Sequence, residues 1–545
     1  MSRYPYTAEQ QAVIDSDARI LAVDAFAGTG KTSTLEGFAL ARPRARILYI
    51  AFNRSIAQSA KERFPQNVEC RTTHSLAFAA VGRQYGDKLG NAAPFDIARR
   101  MNVSNRRAKQ ALDTISAWLC TTDGQIGLDH LPKEDLADGT GGAIVKLARA
   151  VWAEMTNLDS PIKMPHDGYL KLWAMSHPKL RYDYILLDEA QDTNPLTLDL
   201  VLSQKAHAKL VLVGDKHQGI YGFRKAVNAM KCVPADMRVA ITQSFRFASG
   251  IASVASALLQ EYKQERNVIR GRDDIKVSWQ VDRRQPYAIL SRTNAALFGA
   301  LATLVTAKVP VKAVHYVGGF DGYIFGKVLD AYYLWSKERQ SIRDESIGRF
   351  PDFSAFKQYG EEANDPEVKA LVKVVEQYRS DVPSIYNALK AAEVPEDRAA
   401  VTVSTAHKSK GLEWEQVVLT DDFISLPPEE KDYDPEEINL LYVAITRAIR
   451  ALEATPSVKA LVDELTEAEP VAPKGTTTVR QAATHSSGFK DSLREEYERT
   501  WRQLDTAVRN SSISTAERAL LQGRLEALSW VAEQMAISVD TASVS

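Results

Sequence analysis

The sequence predicts an α/β fold built from two parallel sheets, each carrying a helical insertion, with a helical segment at the C-terminus. Three observations carry this expectation. Apolar, β-rich runs recur along the chain, each followed by a turn and a helical pattern. The runs are apolar throughout instead of alternating, as in strands buried on both faces of a parallel sheet. Finally, 545 residues exceed what one hydrophobic core organises, so several folding units are expected.

The first group of runs is ARILAVDAF (18–26), RILYIAF (46–52), YDYILLDEA (182–190) and KLVLVGD (209–215). It assigns the first domain to 1–79 and 176–240. Residues 80–175 form its helical insertion, which includes the basic stretch RRMNVSNRRAK (99–109). The second group, with YAILSR (287–292) and VTVSTAH (401–407), assigns the second domain to 241–320 and 396–460. Residues 321–395, where charged and aromatic residues mix in a helical pattern, are its insertion. Residues 461–488 turn rich in Thr, Ala, Pro and Ser and read as a linker. Residues 489–545 predict two amphipathic helices broken near Asn510–Ser514, where SSISTAE supplies a cap.

Composition excludes several classes. Lys and Arg total 68 against 69 Asp and Glu, a net charge of −1, so any nucleic-acid contact must be a local groove. Cys70, Cys120 and Cys232 lie too far apart for a disulfide framework or a CxxC zinc site. No run approaches the ~18 apolar residues of a membrane span, and the first residues, MSRYPYTAEQQ, lack the apolar stretch of a secretory signal. A reducing cytoplasm with no membrane partner is expected.

The strand ILAVDA runs into Ala25-Phe26-Ala27-Gly28-Thr29-Gly30-Lys31-Thr32-Ser33 and then a helical pattern. A glycine-rich turn lets backbone N–H groups approach phosphate oxygens, and the helix N-terminus adds a favourable dipole. Lys31 is placed to contact the β- and γ-phosphates and Thr32 to hold Mg²⁺. Ala25 stands where the regular pattern has glycine, and the plain alternative is a strand–helix turn with an accidental Lys-Thr. The run YILLDEAQD (184–192) supplies the complement: Asp188 at a strand tip for Mg²⁺, and Glu189 to polarise the attacking water. Both motifs in this order predict hydrolysis of ATP with Mg²⁺.

Four further stretches are VGDKHQGIYGFRKA (213–226), QSFRF (243–247), VSTAHKSKGLEWEQVVL (403–419) and EEINLLYVAITRA (436–448). With the phosphate loop and DEAQD, they resemble in order the motifs of the superfamily 1 DNA helicases of the UvrD/Rep type. The stretches 51–78, 164–173, 202–230 and 315–335 resemble more closely the eukaryotic F-box DNA helicases, over residues 1–455. The first motif begins within about ten residues of Met1, so no F-box, and no ubiquitin-ligase role, is expected. The resemblance implies two tandem RecA-like domains around an ATP site. It implies that Gln10 reads adenine, Phe245 stacks on it and Glu413 lies near the ribose. By the same resemblance Gln218 senses the γ-phosphate, Arg246 contacts phosphate and Arg447 is an arginine finger from the second domain. For single-stranded DNA and its junctions with duplex, it implies Phe52, Thr73, His74, Tyr221, Phe223, Arg224, His407, Lys408 and Trp414.

The bland readings run alongside. His74 and His407 could be capping or core histidines, Trp414 could pack against the sheet, and the basic stretch could be a solvated helix face. The expected activity is an ATP-dependent helicase moving 3′→5′ on single-stranded DNA, in repair or recombination, with the polarity resting on the resemblance alone. The rivals are a translocase that strips recombinase or other proteins from DNA, and an ATPase subunit of a nuclease-partnered defence complex. RNA is the remotest substrate. The C-terminal helices are a possible site for a protein partner.

Overall fold

The computed structural model describes residues 5–132, 140–222, 228–306, 313–362, 365–428 and 433–467. The segment 489–545 therefore lies outside the described residues, as do Phe223 and Arg224.

The first sheet has six strands: β1 (Ile20–Ala25), β2 (Ile47–Ile50), β3 (Val68–Arg71), β4 (Tyr184–Leu187), β5 (Lys209–Gly214) and β6 (Met237–Ile241). Their order is β3-β2-β4-β5-β1-β6, and every pair is parallel. The apolar runs correspond to β1, β2, β4 and β5. The two outer strands escape the same reading because they are half-exposed and mix polar residues (VECR, MRVAI).

Side-chain alternation splits the buried strands between two cores, as a two-residue period requires. Ile20, Ala22, Leu48, Ile50, Ile185, Leu187, Leu210 and Leu212 face one core. Leu21, Val23, Ile47, Tyr49, Leu186, Val211 and Val213 face the other. The second of these cores is closed by Leu35 and Phe38 of the helix Lys31–Leu40. The first is continuous with the insertion, through Ile115 and Trp118 of the helix Asn105–Leu119 and Val151 of the helix Gly141–Thr156.

A small parallel pair, β7 (Gln243–Ala248) and β8 (Arg270–Arg272), leads into the second sheet. That sheet comprises β9 (Tyr287–Ser291), β10 (Val314–Tyr316), β11 (Val401–Thr405), β12 (Trp414–Leu419) and β13 (Ala448–Glu453) in the order β10-β11-β9-β12-β13, again all parallel. Ala288 and Leu290 of β9 face a core shared with the helices Ser249–Lys263 and Pro435–Ile445. Tyr287 and Ile289 face a core shared with the helices of its insertion, among them Phe325–Ser336 and Pro366–Tyr378.

One boundary needs correction. Residues 461–467, expected to open the linker, instead complete the helix Pro456–Glu467. Val458 and Val462 are buried in the second sheet's core with Leu461 packed against it, an i, i+3, i+4 pattern that outweighs the local composition.

Candidate ATP and nucleic-acid site

In a parallel α/β sheet, ligands bind beyond the carboxyl ends of the strands. Here the ends of β1, β4 and β5 carry the phosphate loop, Asp188-Glu189 and Asp215-Gln218. The helix Pro435–Ile445 and the turn after it face them from the second sheet. Between them lies a cleft of about 620 Å³ lined by Gly28 through Ser33, Asp188, Glu189, Asp192, Gln218, Phe245, Arg246, Lys410, Glu413 and Arg447.

The loop's geometry explains its sequence. Gly28 and Gly30 have φ of 73° and 76°, the left-handed region that glycine adopts without a Cβ penalty. A Cβ on Gly28 would also come within 2.4 Å of Ser244 Oγ and 2.6 Å of Arg246 Cβ. Ala25 needs no such freedom: it is the last residue of β1, buried, and its carbonyl accepts from Lys31 Nζ at 3.0 Å. Phe26 and Ala27 turn away from the cleft into the second sheet's core. Thr29 Oγ1 closes the turn on the Phe26 carbonyl at 2.8 Å. Ser33 Oγ accepts from Arg63.

Gln10 is buried, and its Nε2 donates to the Thr29 carbonyl at 3.1 Å. Its side chain is held by a capping box with Thr7, whereas Gln11 is exposed and pairs with Asp15. A Cβ on Gly30 would lie 3.2 Å from Gln10 Nε2 and 3.9 Å from the Phe245 ring. Amide, ring and loop thus meet at one end of the cleft. Phe245 N donates to the Gly28 carbonyl at 2.9 Å, tying β7 to the loop.

At the other end the charges converge. Asp188 is buried, with its carboxylate accepting from Tyr49 Oη and from Glu189 N. Burial, then the neighbouring Glu189 charge, pushes its pKa up to about 6. Glu189 has φ 51°, a left-handed conformation uncommon outside glycine and concentrated at functional sites. Burial opposes its ionisation, but Lys31 and Lys410 hold its carboxyl below the usual range, helped by Gln191 Nε2. Arg447 is 1% exposed and donates to the carbonyls of Val443 and Leu412. Burial and the nearby Arg246 lower its pKa to about 9, so it remains a cation at neutral pH. Arg246 pairs with Glu413 at 2.5 Å. Gln218 donates to Asp215 Oδ2 at 2.9 Å.

A row of rings adjoins this cleft. Phe52 and Tyr221 stack at 5.8 Å with 13° between planes, and His407 lies 6.5 Å from Tyr221. Phe52 is 42% exposed. A cavity of about 240 Å³ beneath the row is lined by Phe52, Tyr221, Thr73, Asp188 and Asp192. Three expected contacts sit elsewhere. His74 Nε2 bonds Asp167 of the first insertion at 2.9 Å. Lys408 donates to the Gly322 carbonyl and lies 3.8 Å over Tyr323. Trp414 opens β12 and packs against the second core.

Several site residues had no sequence expectation. Lys410 pairs with Asp192, donates to the Gln218 carbonyl at 2.7 Å and lies 5.2 Å from the Tyr221 ring. Gln191 donates to Glu189 and Asp192 and accepts from Asp215 N. The trailing Gln-Asp of DEAQD, and the second lysine of HKSK, were the available signals.

A family model described as an AAA domain matches residues 9–224, and one described as a UvrD-like helicase C-terminal domain matches residues 334–456. F-box DNA helicase 1 of Gallus gallus is 32% identical over 513 residues, covering 85% of this chain and 50% of the relative. F-box DNA helicase protein 1 of Schizosaccharomyces pombe is 30% identical over 506 residues, covering 82% and 57% respectively. ATP-dependent DNA helicase PcrA of Leuconostoc citreum is 26% identical over 246 residues, covering 39% and 33%. The chain thus spans about half the length of the two F-box relatives. The two models fall on stretches of the two sheets that meet at the cleft, and over 82–85% of its length the chain is similar to proteins named as DNA helicases.

Proposed function

We propose that the protein is a DNA-dependent ATPase that drives 3′→5′ movement along single-stranded DNA and separates duplex, in repair or recombination and in the cytoplasm. The observation that carries the reading is the convergence of Lys31, Arg246 and Arg447 with Asp188 and Glu189 on one cleft between two sheets. Three cations gathered there make an anion site, and the left-handed glycines leave the loop's backbone open to phosphate. Thr32 and Asp188 are the residues that would hold Mg²⁺, which supplies charge neutralisation of the phosphates when bound.

In this reading Gln10 and Phe245 bind the base and Lys31 the phosphates. Glu189, kept ionised by the cations around it, orients water and takes its proton. Arg447 comes from the other sheet, so its contribution to the developing charge depends on closure of the cleft. Phe52, Tyr221 and His407 offer ring faces that stack on any base, giving sequence-independent grip. Lys410 touches both the ring row and the Gln218 segment, so strand binding and nucleotide chemistry share a side chain.

The test is ATP hydrolysis with and without single-stranded DNA, beside unwinding of 3′- and 5′-tailed duplexes. Stimulated hydrolysis and unwinding of the 3′-tailed substrate are expected; unwinding of the 5′-tailed substrate alone would reverse the polarity. The rival reading is stripping of bound proteins with little strand separation. Displacement of a DNA-bound protein without unwinding of bare duplex would select it.

A further inference from the structure

Tyr442 lies within the helix Pro435–Ile445, in a stretch where every residue from Ile438 to Ile445 is buried. Its ring belongs to the second sheet's core. Its hydroxyl does something packing does not require. It accepts from Ala27 N of the phosphate loop at 3.1 Å and donates to Asp215 Oδ2 at 2.9 Å. The same Asp215 oxygen accepts from Gln218 Nε2 at 2.9 Å. Ala27 immediately precedes Gly28, Gln218 lines the cleft, and Arg447 lies five residues beyond Tyr442, in the turn that follows the same helix. One hydroxyl therefore touches the phosphate loop directly and Gln218 through a shared carboxylate, from the element that delivers Arg447. Burial first and the Asp215 charge second raise the phenol's pKa well above its ordinary value. The proton stays in place, and the direction of both hydrogen bonds is fixed.

We propose that Tyr442 is a positioning residue whose hydroxyl sets the phosphate loop and Gln218 in register with Arg447, so that turnover, not nucleotide capture, depends on it. The inference rests on the ATPase reading above. A misplacement of about 1 Å at a reacting centre is worth on the order of 100-fold in rate. Phenylalanine would keep the ring but leave the Ala27 N–H and one Asp215 oxygen each a partner short in a buried site, and the loop can relieve that only by moving.

The experiment compares wild type with Tyr442→Phe in the full chain. It measures kcat and KM for ATP on saturating single-stranded DNA, and ADP affinity by titration. A fall in kcat of roughly 10- to 100-fold is expected, with KM and ADP affinity within about threefold of wild type. An unchanged kcat overturns the proposal. So does a parallel loss of ADP affinity, which would reduce Tyr442 to a prop for the loop. In the double variant with Gln218→Ala, the shared carboxylate requires losses well short of multiplicative; full multiplication overturns that route. If Tyr442→Phe fails to fold, Asp215→Asn serves, with the same split between kcat and ADP affinity expected and a normal kcat overturning the inference. Wild-type protein that hydrolyses no ATP on DNA would instead sink the ATPase reading.

Discussion

Arg447 carries its charge in a place where charge is expensive. It is almost wholly buried and sits beside Arg246, and its pKa falls to about 9. A cation held there gains most when negative charge develops opposite it. Arg447→Ala should therefore lower kcat by about 10³-fold or more, the range of arginine fingers in other phosphoryl-transfer enzymes. ATP affinity should change far less, a split read by comparing kcat with nucleotide binding. For the proposed DNA track, Phe52 offers a cleaner handle because its ring is 42% exposed. Phe52→Ala should leave the melting temperature within a few degrees of wild type. Loss of one stacking platform, worth ~1–3 kcal/mol, should weaken single-strand binding roughly tenfold to a hundredfold in a fluorescence titration. That the glycine-rich loop, Asp188 and Glu189 would meet at one cleft was legible from spacing along the chain, because both motifs sit at strand ends. Tyr442, Asp192 and Lys410 were not, since each acquires its role from a partner on a distant segment.

At the scale of elements, the buried apolar strands were readable because nothing but a two-sided core explains runs such as ILLD and LVLVG. The outer strands β3, β6 and β10 were not, being short and partly polar. The helix Pro435–Ile445 shows the limit from another side: an apolar stretch buried all round gives no stripe from which to judge what it faces. Within the first insertion, Lys171 of the helix His166–Met175 is fully buried, donating to the Thr121 carbonyl at 2.6 Å and lying 4.5 Å from the Trp118 ring. Burial lowers its pKa to about 8. The unfolded chain keeps this proton to about pH 10.4, so between those values the unfolded state binds more protons and folding gains as pH rises. Urea unfolding at pH 7 and pH 10 should show wild type gaining stability relative to Lys171→Met. A constant difference between the two proteins would contradict the shift.

For the whole molecule, every matched motif lies before residue 449, and the last described helix ends at Glu467. A chain ending after residue 467 should retain DNA-stimulated ATP hydrolysis, checked against the full chain at equal concentration. Ending the chain at 455 should not be tolerated, because the helix Pro456–Glu467 buries Val458 and Val462 in the second core.

Phe26 belongs by sequence to the glycine-rich loop of the first sheet, yet it is 2% exposed among residues of the second sheet's core and stacks on His217 at 6.0 Å. A loop anchored this way gives the two halves a common melting fate. The second sheet cannot lose its core without unseating the first sheet's loop, so scanning calorimetry should record one cooperative transition for both. Nucleotide should move that transition as a whole. Phe26→Ala, which opens a cavity costing about 3–5 kcal/mol, should split it in two and weaken ATP binding without altering any residue that points into the cleft.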